Sequence, residues 1–182
     1  MAIAKRKKRF FEVEIPLLKK ETHLIAFEKQ ELNGKYLKYD ITRNLKGKPA
    51  LMQFKVLIKN EKAIAYPQQL RLLPVCLKRM VRKGTNYVED SFSTKTKDAK
   101  VRIKPFLVTR RRVSRKVKKA LRQKAREELT KTLKNNKIET IFEEILKNKL
   151  QKELSLKLKK IYPLSACEIK ILKIENYLEK KK

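Results

Sequence analysis

The sequence predicts an α+β protein: β-rich over residues 10–108, mainly helical over 109–163, then a last strand and a basic tail over 164–182. Three observations carry that prediction. Residues 51–58 alternate apolar and polar side chains with the period of a half-buried strand. Three later stretches, beginning at Val113, Ile138 and Leu150, place apolar residues at helical spacing instead. At 41% hydrophobic residues, the 182-residue chain can build one core of its own behind a basic arm over residues 1–9.

The charge is what most constrains function. The formal net charge is +31, and two short stretches, 1–11 and 99–126, supply 18 of it. Solubility alone favours a far smaller excess, and like charges crowded on one face repel, so a dense polyanion is the partner that such a surface fits.

In chain order, Lys5, Arg6, Lys7, Lys8 and Arg9 form an unbroken basic run, and Phe11, Val13 and Ile15 then alternate with Glu12 and Glu14 until Pro16. That alternation reads as a strand, with Phe10 left on its outer face, where an aromatic ring suits either a base or a neighbouring protein. A second strand is expected over His23 to Phe27, ending at the hairpin pair Asn33-Gly34. Leu37, Tyr39 and Ile41 mark a third strand. Met52, Phe54, Val56 and Ile58 mark the clearest one, and Ile64 and Tyr66 are expected to close the set before Pro67 stops it.

Leu73, Leu77, Met80 and Val81 outline a short helix with Pro74 in its first turn, basic residues at its end and Gly84 after it. Residues 88–108 read as a hairpin turning at Lys97-Asp98, with Pro105 at an edge or bulge. Its returning strand presents Lys100, Arg102 and Lys104 on one face.

That strand feeds into the segment the chain is organised around, Ala99 to Arg126, which holds thirteen basic residues and no acid. Val113, Val117, Ala120, Leu121 and Ala125 fall in one helical arc, with Arg111, Arg112, Arg115, Lys118, Lys119, Arg122 and Arg126 on the opposite side. Arg110 begins the run. Six of the chain's thirteen arginines lie between Arg110 and Arg126, and the planar arginine fork donates two parallel hydrogen bonds to phosphate where lysine offers a point charge. Beyond Arg126 the charges mix and Leu129 and Leu133 leave the arc, so the helix is expected to bend, end or change its packing partner. Asn135-Asn136 breaks it. Ile138 to Leu146 and Leu150 to Ile161 form further helical faces until Pro163, and Glu168 to Lys173 read as the last strand.

Other chemistries find no starting point. The three glycines are isolated, so no loop wraps a nucleotide phosphate. Cys76, Cys167 and the lone His23 have neither metal-ligand nor disulfide spacing, which leaves two buried, reduced thiols and a structural histidine. The pairs Glu127-Glu128 and Glu143-Glu144 diverge on a helix and do not form an acid/base couple. No apolar run approaches a membrane span, and a cytoplasmic, non-enzymatic protein without a cofactor is expected.

The strands at Lys35 to Ile41 and Leu51 to Ile58, the segments VRIKPFLVTRRRVSRKVKKALRQKAREEL and LQKELSLKLKKIYPL, and the entry and exit segments FFEVEIP and KKIYPLSACEIK resemble the S1e (S3Ae) family of small-ribosomal-subunit proteins. The resemblance covers nearly the whole chain, and the short length is similar to the archaeal branch. It implies a mixed antiparallel, barrel-like sheet flanked by helices, seated against ribosomal RNA on the platform of the small subunit near the messenger exit. It implies as partners the neighbouring platform proteins, with messenger RNA or initiation factors as further ones. From the residues alone, a chromatin-type DNA binder and a basic amphipathic membrane binder stay open. The first lacks a helix aimed at base edges, and the second lacks aromatic residues on the apolar face of the 113–125 helix.

Overall fold

A computed structural model describes residues 7–59 and 62–177. Lys5 and Arg6 of the basic arm lie outside the described residues. The chain forms two compact units, one comprising the residues up to Tyr39 with Gln53–Gln68, the other Asp40–Met52 with the residues from Gln69 onward.

In the first unit, β1 (Arg9–Ile15) pairs antiparallel with β2 (Lys20–Ala26) along its whole length, from Arg9↔Ala26 to Ile15↔Lys20. Arg9 is therefore the first residue of the strand rather than the last of the arm. Between the strands, Pro16–Leu18 make a 3-10 turn that ends on Lys19 in the left-handed region, at φ 52°. The alternation of β1 does what the sequence asks: Val13 and Ile15 are buried and Phe10 faces outward.

Asn33-Gly34 does not make a two-residue hairpin. Asn33 has φ −62° and ψ 124° and Gly34 has φ 80°, the dihedrals of a type II turn, in which only the second residue is left-handed. A hairpin of type I′ needs positive φ at both, and here a 3-10 turn (Lys29–Leu32) precedes the pair and anchors it through the fully buried Leu32. The following strand, β3 (Tyr36–Asp40), consequently pairs with β4 (Ala50–Lys59).

β4 and β5 (Lys62–Leu72) each run from one unit into the other, and β5 pairs parallel with β1 at Glu14↔Ile64, which makes the sheet mixed. Ile64 and Tyr66 join the set as expected, within β5. The buried residues of β5 in the first unit are Ala63, Ala65 and Pro67, while Ile64 and Tyr66 are only half-buried. Ile15, Leu32 and Phe54 already supply the bulk of that core, so small side chains suffice beside them. Pro67 does not stop the strand: it lies between the pairing to β1 at Ile64 and the pairing to β9 that begins at Gln69, and β5, which also pairs with β4, runs on to Leu72.

The second unit is built on one long antiparallel pair. β8 (Ala99–Thr109) runs against β9 (Leu164–Tyr177) from Ala99↔Tyr177 to Thr109↔Leu164. A break in register at Lys104/Pro105 puts Pro105 at the expected bulge. β6 (Tyr87–Glu89) and β7 (Phe92–Lys95) both pair with β8, and the end of β5 pairs with β9 at Gln69–Arg71. The turn at Lys97-Asp98 is closed by Thr96, whose hydroxyl donates to the Ala99 carbonyl at 2.8 Å. In neither unit do the pairings of the described residues return into a closed ring.

Among the described residues, four helices complete this unit: α1 (Pro74–Met80), α2 (Arg115–Asn135), α3 (Ile138–Leu146) and α4 (Lys149–Leu158). Ile161 lies beyond α4 and is exposed. The buried stripe of α2 is Leu121, Ala125, Leu129 and Leu133. α2 continues past Arg126; the helix contacts β6, β7 and α4, and beyond Arg126 its Leu129 lies beside Leu150 and Leu154 of α4. A stripe stepping by four residues drifts about 40° per step around a helix of 3.6 residues per turn, so it needs different neighbours along its length.

Candidate nucleic-acid interface

The alternation of β8 buries Ala99, Val101 and Ile103 and turns Lys100 and Arg102 outward, with Lys104 half-buried. Although the segment 99–126 holds no acid of its own, the pairing with β9 brings one. Glu175 accepts from Arg102 Nε at 2.6 Å and from the Ser93 hydroxyl at 3.1 Å, and sits 3.6 Å from Lys100 Nζ. Burial works to raise the Glu175 pKa, but the hydrogen bonds from Arg102 and Ser93 and the two positive charges outweigh it and hold the carboxyl below its ordinary value. Two of the three strand cations are thus already engaged.

Beyond β8 the chain is pinned by one asparagine. The Thr109 N–H donates to the Asn86 carbonyl at 2.8 Å and the Val113 N–H to Asn86 Oδ1 at 2.9 Å. The Thr109 hydroxyl accepts from the Asn86 N–H at 3.1 Å and donates to the Arg111 carbonyl at 2.7 Å. These bonds satisfy the backbone of a non-regular segment and leave Arg110, Arg111 and Arg112 exposed.

Ser114 then caps α2, its hydroxyl accepting from the Val117 N–H at 3.4 Å. Arg111 and Arg112 therefore precede the helix instead of riding its outer face. On the helix, Arg115, Lys119 and Arg122 are exposed as expected, but Lys118 is half-buried, as are Val113 and Val117, and Ala120 is exposed. The arc read from Val113 is rotated relative to the real buried stripe because Val113 is not in the helix. Lys116, absent from the sequence-based set, is exposed in the first turn, and its place inside the basic run was the available signal.

The first turn of α2 carries no acidic residue. Cations beside the positive end of a helix dipole cost about 0.3–1 kcal/mol each, and a bound anion relieves that cost. Among the described residues, none of Arg110, Arg111, Arg112, Arg115, Lys118, Lys119 and Arg122 has an acid partner. Arg126 is different: its guanidinium lies 5.3 Å from the centre of the Phe92 ring. Further along, Lys124, Lys131 and Lys157 all converge on Glu128, so the α2 surface divides into an N-terminal part without acid partners among the described residues and a C-terminal part whose lysines share an acid.

In the first unit, Lys7, Lys8 and Arg9 are exposed, and Lys8 Nζ lies 5.5 Å from the centre of the Phe27 ring. Phe10 is 73% exposed and pairs across the ladder with Ile25, itself 52% exposed. His23 is exposed on β2 opposite Glu12. Both cysteines are free and buried. Among the described residues no group of three or more His, Cys, Asp or Glu could hold a metal ion, and no helix is long and apolar enough to cross a membrane.

The Ribosomal S3Ae family profile matches residues 4–177. The small ribosomal subunit protein eS1 of Pyrobaculum neutrophilum is 31% identical over 141 residues, covering 76% of this chain and 64% of that protein. The eS1 protein of Nanoarchaeum equitans is 26% identical over 166 residues, covering 87% and 84%. That of Methanothermobacter thermautotrophicus is 33% identical over 94 residues, covering 51% and 48%. The chain thus spans 64% of the length of the Pyrobaculum relative, and on the match over residues 4–177 it belongs to the ribosomal S3Ae family.

Proposed function

We propose that this chain is a structural constituent of the small ribosomal subunit in the cytoplasm, binding ribosomal RNA on the platform near the messenger exit. Neighbouring platform proteins would be its protein contacts, with messenger RNA or initiation factors as further partners. The observation that carries the reading is the run from Arg110 to Arg122, where cations stand without acid partners among the described residues while Glu175 and Glu128 pair with cations outside it. Family membership and the name of the archaeal relatives support it.

Arg110, Arg111 and Arg112 sit on a pinned loop and Arg115, Lys119 and Arg122 on a rigid helix, so their charges are held in a fixed pattern rather than on a mobile tail. Such a pattern fits the phosphates of a folded RNA and reads shape more than sequence. Lys7, Lys8, Arg9 and Phe10 form a second basic surface on the first unit, and Lys5 and Arg6 would extend it. Sedimentation of the tagged protein with small subunits, in a gradient of salt, tests the reading. Co-sedimentation should weaken with log salt by about 0.7–0.9 log units of affinity per phosphate neutralised. A protein that sediments instead with chromatin or membranes, or one whose RNA affinity ignores salt, would refute it.

A further inference from the structure

The second unit has an open groove of about 550 Å3 between α1, the end of β5 and strands β6, β8 and β9. Its floor is apolar, formed in part by the buried Leu72, Leu77 and Phe106. Over the floor stands Tyr87, 55% exposed, its ring stacked on Phe106 with centroids 5.7 Å apart and planes 27° apart. Phe106 covers one face of that ring, and much of the remainder is open. A lone exposed tyrosine is unremarkable, but one already stacked and standing in a groove is a flat surface prepared for another flat group.

The charges around the groove are not balanced. Glu89, the one acid lining it, is held by Lys170 through both carboxylate oxygens at 3.0 and 3.1 Å. Arg71 and Lys78 also line it, and among the described residues neither has an acid partner. Tyr87 is moreover tied to the arginine loop: it pairs with Val108 across the ladder, two residues before Arg110, and follows Asn86, which pins Thr109 and Val113.

We propose that this groove receives an unpaired nucleobase of RNA, stacked on Tyr87, with flanking phosphates on Arg71 and Lys78. The inference rests on the RNA-binding reading above and adds to it a site for a single-stranded nucleotide, distinct in chemistry from the phosphate-only surface of α2. An acidic, apolar peptide would meet the same two cations. It would make no particular use of an open aromatic face, and the exposed Arg110, Arg111 and Arg112 next along the chain offer a track for phosphates rather than sockets for side chains.

The test uses the full chain and three probes: a fluorescent single-stranded RNA hexanucleotide, an abasic ribose-phosphate chain of the same length, and a duplex RNA. The expected result is that the base-bearing hexanucleotide binds about tenfold or more tighter than the abasic one, a gap of the size one base on one ring supplies. Tyr87→Ala should bring the two single strands to parity, Tyr87→Phe should keep the gap, and neither should change duplex binding. The circular dichroism spectrum of Tyr87→Ala checks that the loss is not unfolding. Parity of the two single strands in the unaltered protein, with duplex binding intact, overturns the groove and leaves the RNA-binding reading standing. So would Tyr87-dependent capture of a peptide of alternating Glu and Leu with the single strands at parity. Loss of duplex binding in the unaltered protein would mark failure of the underlying reading instead.

Discussion

Glu128 on α2 and Lys157 on α4 meet at 2.9 Å, and Lys124 and Lys131 close on the same carboxylate. The hydrogen bond from Lys157 is the first cause that holds the Glu128 carboxyl below its ordinary value, with Lys124 and Lys131 adding to it against the effect of burial. A carboxylate depressed in the folded state contributes stability above its unfolded pKa and loses it as pH falls through the folded one. Glu128→Gln should therefore lower the urea midpoint at pH 7, and the gap from the unaltered protein should shrink as pH is taken below the ordinary carboxylate range. A gap independent of pH would mean that the ion cluster does not anchor α2 to α4.

The two faces of α2 are separable. Changing Arg111, Arg115, Lys119 and Arg122 together to Glu should abolish RNA binding and leave the unfolding transition intact, since all four are exposed. Leu129→Ala should do the reverse at first, costing about 2–5 kcal/mol because it empties a buried site facing Leu150 and Leu154. Filter binding and thermal unfolding on both variants check the assignment, and an unfolded charge-reversal variant would show that the faces are wrongly placed.

Glu175 engages both Arg102 and Lys100 on β8. Glu175→Gln should raise affinity for structured RNA and steepen its fall with salt, by roughly one phosphate's worth of slope for each cation released. The pair is largely solvent-screened, so the accompanying loss of stability should be small. Unchanged affinity and slope would place β8 outside the RNA surface.

What the sequence disclosed and what it hid follow from how loudly each residue speaks. β4 was legible because Met52, Phe54 and Val56 are large, apolar and strictly alternating, and all three are fully buried. The inward face of β5 was not legible: Ile64 and Tyr66 outweigh Ala63 and Ala65 in any pattern, and only the filled core around Phe54 explains why the alanines face inward. The basic face of α2 was visible as an acid-free run. Its neutralised neighbours were not, since Glu175 lies 73 residues from Arg102 in the chain and reaches it only through the β8–β9 ladder. Tyr87 carried no local signal, because its stacking on Phe106 depends on strand register rather than on spacing.

The thiols give a prediction about protection. Burial first, and then the nearby Glu168 carboxylate, push the Cys167 thiol up to about 12, and burial likewise raises Cys76. The thiolate is the reactive form, so both groups are disarmed at neutral pH as well as enclosed. Neither should react with an aromatic disulfide reagent at pH 7.5 until the second unit opens, and two equivalents should react in urea. Rapid modification of the folded protein would contradict the burial of β9 and α1.

Phe10 and Ile25 face each other across β1 and β2 with much of their surface in water. Cross-strand apolar pairs stabilise a ladder by about 0.2–1 kcal/mol, too little to justify two large exposed side chains on a chain otherwise so charged. β2 carries no second strand partner among the described residues, and Phe27, with Lys8 over its ring, is exposed on the same unit. An apolar pair beside cations fits a neighbouring protein or a base in the assembled particle. Replacing Phe10 and Ile25 with Ser should shift the unfolding midpoint only slightly while weakening incorporation into small subunits at least severalfold. Removal of residues 2–8 should weaken incorporation through charge and leave β1 whole, whereas a deletion that also takes Arg9 removes the first rung of its ladder with β2. If the double serine variant assembles as well as the unaltered chain, the exposed pair has no partner there.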